Sequence, residues 1–235
     1  MVYVRYQLLV QMLPLLQVCD ASKRLLGRPV VKKEILEVRH VKSIVDKFAQ
    51  LGASLSDLQV AVLIVVGFAG FLRWSDLSVI KVEDVVFYDS HMDVVLPKRK
   101  NDQRRSGSAI SIASTGSVYC PVSLTRRFIL RAGLLSGPLF RECVSRGVVK
   151  SLSSKALSYA SARSQVLSAF TAIGLDAKKF GLHSLRAGGA SAAARAGIPG
   201  RLISSHGGWK SDVSRNGYIK DCKDSILAVS KSLKL

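Results

Sequence analysis

The sequence predicts a mainly α-helical domain with a small three-stranded antiparallel sheet, an α+β fold. Three observations lead there. Apolar residues recur at helical spacing over much of the 235-residue chain. One apolar stretch, residues 58–72, is long enough to be a buried helix. Between residues 79 and 113 the pattern changes to short β-branched runs separated by polar turns. The length suits one large domain, or one domain with a fragment of another.

Residues 1–26 read as one helix and its exit, and a single helix cannot bury its own face. Residues 27–31 read as a linker broken by Pro29. Over 32–50, Ile35, Val38, Val41, Val45 and Phe48 fall on one helical face. Ser56 with Gln59 has capping-box form and opens a helix over 57–71. Strands follow at 82–87, 92–96 and 109–112, and the loop between the last two, 97–107, is strongly basic. Pro121 stands near the start of a helix running to residue 132. Further helices are expected at 155–173 and 182–196, around Tyr218, and at 225–233. The second of these is rich in Ala and Gly, which permits close packing. No internal repeat or low-complexity tract is visible.

Charge is lopsided: 35 Lys and Arg stand against 16 Asp and Glu, a net +19. Like charges repel, so the excess does not serve folding; it suits a polyanionic partner, nucleic acid first and an anionic membrane surface second. The 58–72 run contains Gln59, is bounded by Asp57 and Arg73, and is too short for a comfortable membrane span. Arg5 interrupts the apolar start and no small-residue cleavage site follows, which argues against a signal peptide. No convincing cationic amphipathic helix supports a membrane-surface protein. Cys19, Cys120, Cys143 and Cys222 form no metal-binding spacing and read as buried or idle thiols in a reducing compartment. No metal site is expected.

Four clusters carry chemistry. Arg73 ends the apolar helix, where a charge needs a partner, and Asp76 three residues on is within reach. Lys98, Arg99, Lys100, Arg104 and Arg105 crowd the loop; alone they suit a solvated hairpin turn or phosphate contacts. His183 and Arg186, three apart, place a titratable imidazole and a planar guanidinium on one helix, a pair suited to an anionic phosphate. Trp209 is preceded by His206, Gly207 and Gly208, is followed by Lys210, and stands nine residues before Tyr218. A packed Trp and a half-buried Tyr are the ordinary reading of that last cluster taken by itself.

Taken together, the four clusters resemble the tyrosine recombinases, or phage-type integrases. That family carries Arg after an apolar helix, Lys in a β-hairpin, His-x-x-Arg, then His or Trp, then Tyr nine residues later. Here Arg73, Lys100, His183-x-x-Arg186, Trp209 and Tyr218 come in that order. Both Lys98 and Lys100 fit the hairpin position. Lys100 is preferred because Lys100-Asn101-Asp102-Gln103 resembles the family's Lys-Thr-Asp-Gln. The segment from Arg186 to Asp221 further resembles the recombinases of DIRS-like and Crypton-like eukaryotic mobile elements.

The resemblance implies the family's catalytic-domain fold over 28–235, with 1–27 a remnant of a core-binding domain or a linker helix. It implies site-specific recombination of double-stranded DNA, as in integration of a mobile element, through a 3′-phosphotyrosine at Tyr218. Arg73, Arg186 and the Trp209 indole would stabilise the phosphate, His183 would accept the tyrosine proton, and Lys100 would protonate the leaving 5′-oxygen. Asp76 would orient Arg73 or His183, and Lys98, Arg99, Arg104, Arg105 and Lys210 would hold DNA. No cofactor is implied. A tetrameric synapse on DNA is, located in the nucleus of a eukaryote or otherwise in the cytoplasm at the nucleoid. Two alternatives share these residues: a catalytically silent DNA-binding protein derived from a recombinase, and a type IB topoisomerase-like enzyme.

Overall fold

The computed structural model describes Val18 and residues 32–97, 108–146 and 149–233. The chain divides into two compact units, Met1–Lys32 and Lys33–Leu235. In the first, Val18 is helical. The second contains α1 (Val38–Phe48), α2 (Leu55–Ala69), α3 (Trp74–Leu77), β1 (Val85–Phe87), β2 (His91–Leu96), β3 (Ser108–Ala113), α4 (Pro121–Arg131), β4 (Arg141–Arg146), β5 (Val149–Ala156), α5 (Tyr159–Ala172), α6 (His183–Arg195), α7 (Gly200–Gly207), α8 (Asp212–Asn216) and α9 (Lys223–Lys231).

α2 is the centre. Its residues 58–67 are all buried, so it behaves as the buried helix its composition predicts. Its cap is two residues earlier than expected: the Ser54 hydroxyl accepts the Asp57 N–H at 3.1 Å. Gln59 is no cap residue. It is fully buried and pairs with the Arg141 backbone, its amide donating to the carbonyl at 2.9 Å and its oxygen accepting the N–H at 2.8 Å. That arrangement satisfies a polar group in the core and ties β4 to α2.

The β1-β2-β3 sheet is antiparallel, with Met92 opposite Ile112 and Val94 opposite Ile110. All four of these side chains are buried, and His91 and Asp93 lie on the other face, as strand alternation requires. The first strand is shorter than expected because Val82–Asp84 forms a 3₁₀ turn. A second sheet, the β4–β5 hairpin, was not foreseen; its polar, Ser-rich strands lack the usual alternation. It also displaces the start of α5 to Tyr159, where the Ser158 hydroxyl caps the helix. In α1 the buried face is Val41, Ile44 and Val45, whereas Val38, expected in the core, is exposed.

α6 packs at the distance its small residues allow. A Cβ on Gly188 would lie 2.1 Å from the Leu36 carbonyl oxygen, and one on Gly189 would lie 2.1 Å from that of Phe68. The cost of glycine in a helix is offset by this approach, which brings Arg186 against the end of α2.

Candidate active site

α2 stops at Ala69, two residues earlier than the hydrophobic pattern implies, because Phe71 takes a left-handed backbone conformation, φ +49°. A bulky residue there is an uncommon, strained choice. The kink turns the Phe71 carbonyl toward α6 and sets the half-buried Arg73 at the N-cap of α3.

Asp76 does not meet Arg73 as an ion pair. Its Oδ2 accepts the Arg73 backbone N–H at 2.9 Å, so the carboxylate fixes the main chain that carries the guanidinium. Asp76 is buried, and its Oδ1 has no hydrogen-bond partner among the described residues.

Arg186 is fully buried at 0% exposure. Its Nη1 donates to the Phe71 carbonyl and its Nη2 to the Gly207 carbonyl at 2.9 Å. The guanidinium lies 4.0 Å from the Trp209 ring centroid and 4.9 Å from that of Tyr218. The two rings are 5.3 Å apart. Residues far apart in sequence thus meet on one cation. His183, at the first position of α6, is exposed. The expectation that one helix face presents His183 and Arg186 together therefore changes: the first faces outward and the second inward.

Trp209 is buried with its Nε1 lacking an acceptor among the described residues. Such a donor costs about 1–3 kcal/mol. Gly207 makes the ring's position possible, since a Cβ there would lie 1.9 Å from the indole. Phe71, Ala190, Ile203 and Trp209 form a small core of their own, with Tyr218 and Ile219 packed against it. Tyr218 is half-buried and lies in the turn after α8, not within a helix as the sequence reading had it. His206 bonds the Ala69 carbonyl at 2.8 Å and packs on Phe71.

Lys98, Arg99, Lys100, Arg104 and Arg105 lie outside the described residues, and Lys210 is exposed beside Trp209. A cavity of about 520 Å³ borders the cluster, lined by Phe71, Ile110, Ile203 and His206 among others. Neither Arg73, Arg186, Trp209 nor Tyr218 lines it, so it neighbours the site without containing its chemistry. Among the described residues no group of His, Cys, Asp or Glu could hold a metal ion, and no helix is long and apolar enough to cross a membrane.

Sequence reasoning missed Phe71 and Ser191. The first had no signal, since its role depends on a backbone angle. The second, buried on α6, reaches the segment after Tyr218.

No family model matches the chain. It is 33% identical over 167 residues to an integrase/recombinase xerD homolog of Selenomonas ruminantium, a match covering 71% of this chain and 48% of that protein. The chain thus spans about half the length of that relative. Among solved structures, it is similar to the XerH site-specific recombinase bound to palindromic difH substrate in a post-cleavage complex. That likeness has a TM-score of 0.64 at 14% identity, over 86% of this chain and 53% of the other. The XerA recombinase gives a TM-score of 0.64 at 17% identity, over 89% of this chain and 66% of the other.

Proposed function

The chain has the tyrosine recombinase catalytic-domain fold and is related in sequence to a member of that family, and on this premise we propose that it cuts and rejoins DNA through Tyr218. The observation that carries the reading is the packing of the Tyr218 and Trp209 rings on the buried Arg186 guanidinium. It sets a hydroxyl-bearing residue beside an anion-binding cation.

In this reading the Tyr218 oxygen attacks a scissile phosphate in line. A tyrosyl 3′-phosphodiester forms as the bond to the 5′-oxygen breaks. A tyrosine hydroxyl has an ordinary pKa near 10, so attack at neutral pH needs a proton acceptor, the part given to His183. The 5′-oxygen takes a proton from Lys100. Attack by a second strand's 5′-hydroxyl reverses the step and frees Tyr218. Charge that builds on the nonbridging oxygens is met by Arg73, Arg186 and the Trp209 N–H. Arg186 donates to two carbonyls in this structure; a phosphate oxygen carries more charge than a carbonyl and competes for the same donors. Asp76 contributes through the Arg73 main chain. The residues, together with Lys98, Arg99, Arg104, Arg105 and Lys210 along the DNA, would supply recombination without a cofactor.

The domain boundary near residue 28, the tetrameric synapse and a nuclear or nucleoid location belong to the same proposal. So does a mobile-element role, which rests on the 186–221 segment; the Selenomonas relative lends no support to a DIRS-like or Crypton-like subtype. The burial of Arg186 favours one rival, a protein that holds DNA without cutting it. Incubation with a nicked suicide duplex separates the two: a covalent adduct mapped by mass spectrometry to the Tyr218 peptide supports cleavage, and no adduct with DNA binding intact supports the rival. Relaxation of supercoiled DNA without joining of two sites would point to the topoisomerase-like alternative.

A further inference from the structure

The segment that carries Tyr218 has little regular structure of its own. After α8 the chain passes through a turn at Gly217–Tyr218 and runs irregularly to Asp221. Something outside the segment must set where the Tyr218 ring stands. One buried hydroxyl reaches the backbone at and just after Tyr218. Ser191 is 0% exposed, and its Oγ accepts the Lys220 N–H at 2.9 Å and donates to the Tyr218 carbonyl at 3.5 Å. A helical serine ordinarily turns its hydroxyl to solvent or back to the carbonyl four residues earlier. This one is directed across to another segment, bonding the Lys220 N–H firmly and the Tyr218 carbonyl at long range. One turn further along α6, Arg195 donates to the Lys220 carbonyl at 3.3 Å, exposed and longer than the Ser191–Lys220 bond.

We propose that Ser191 is a positioning residue: it fixes the Tyr218 backbone to the same helix that carries Arg186, and so sets the ring against the guanidinium. Ser191 follows Arg186 by five residues on one rigid element. The Tyr218 N–H is held separately by the Arg215 carbonyl at 2.9 Å, within α8 and its turn. That bond keeps the turn closed but cannot register it on α6; the Ser191 hydroxyl does. The inference rests on the reading of Tyr218 as the nucleophile, but its geometric half stands alone.

The test uses the full chain, Ser191→Ala and Ser191→Thr, a nicked suicide duplex, and NMR hydrogen exchange at the Lys220 amide. Removing the hydroxyl should lower the single-turnover rate of adduct formation at saturating DNA by about ten- to a hundredfold, the scale of a misplaced reacting group. DNA affinity should not change, and Thr, which keeps a hydroxyl, should restore most of the rate. The Lys220 amide should be protected in the unaltered chain and exchange faster in Ser191→Ala. An unchanged adduct rate, or a loss of DNA affinity that accounts for the whole effect, overturns the positioning role. If the unaltered chain forms no adduct at all, the proposed function fails instead, and the exchange data still decide the anchor. A Lys220 amide that exchanges like an unstructured peptide in the unaltered chain overturns it, and that measurement needs no variant to fold.

Discussion

The core around α2 is closed by bulky aliphatic and aromatic side chains from α1, α2, α4, α5 and the β1-β2-β3 sheet, with few polar members. The cluster around Arg186 is closed differently. A full charge sits inside it, flanked by the faces of two aromatic rings and by the Phe71 and Gly207 carbonyls. Arg186 and Trp209 are buried as the α2 core is. In the first, shape and volume determine stability, and one side chain can stand in for another of like size. In the second each group has a direction: a fork, a ring face, a carbonyl, an N–H. Changes in the first should therefore alter how much protein is folded, and changes in the second what the folded protein does.

The largest effect should come from the smallest edit. Tyr218→Phe removes one oxygen and leaves the ring on Arg186. Melting temperature and DNA affinity should hold, and adduct formation on a nicked duplex should vanish. A persistent adduct, or one that maps to Tyr159, would collapse the distinction between the regions at its central residue.

Arg186→Lys comes next. Lysine keeps the charge but has no planar fork to span the Phe71 and Gly207 carbonyls. Loss of one charged donor at such a site costs about 2.7–4 kcal/mol, roughly a hundred- to a thousandfold in rate. Single-turnover cleavage measured on protein shown to be folded checks it. Near-normal cleavage would mean that charge alone, not geometry, is what this region supplies.

How far each region can be read from sequence follows from the same contrast. The buried α2, the three-stranded sheet and the close packing at Gly188 and Gly189 all follow from side-chain size and polarity, which sequence displays directly. The order Arg73, His183, Arg186, Trp209, Tyr218 was legible through its resemblance to the family's motif. Their directions were not. That Arg186 faces inward while His183 faces out, that Asp76 grips a backbone N–H, and that Phe71 kinks the chain depend on backbone angles that no residue type announces. The β4–β5 hairpin was illegible for a further reason: its strands are polar, and Gln59, which anchors it, looked like part of a helix cap.

A smaller and purely structural effect belongs to the α2 core. Ile64→Val removes one buried methylene from α2, where Ile64 is 0% exposed. Denaturant unfolding should show a loss of about 0.5–1.5 kcal/mol. Cleavage per folded molecule should be unchanged. A variant that cleaves more slowly without being less stable would show that the large core transmits strain to the site.

A last test, whose expected effect on cleavage is none, asks whether the larger core tolerates an ionisable group as the cluster tolerates Arg186. Cys120 is fully buried at the N-cap of α4. Burial pushes its thiol up, but backbone N–H groups of Ser123 and Thr115 and the hydroxyls of Ser123 and Ser114 together outweigh that and bring it down to about 6. An unfolded cysteine titrates near 8.5. Between those values the unfolded chain binds more protons than the folded one, so stability should rise with pH across about 6 to 8.5. The contribution is fully present above the unfolded value and disappears as pH falls through the folded one. Cys120→Ser keeps an acceptor for the same N–H groups but cannot ionise in this range. Unfolding free energies measured from pH 6 to 9 should slope upward less in Cys120→Ser than in the unaltered chain, with no change in cleavage at fixed pH. Equal slopes would mean that the thiol stays neutral. The charge inside the Arg186 cluster would then be a property of that region which the α2 core does not share.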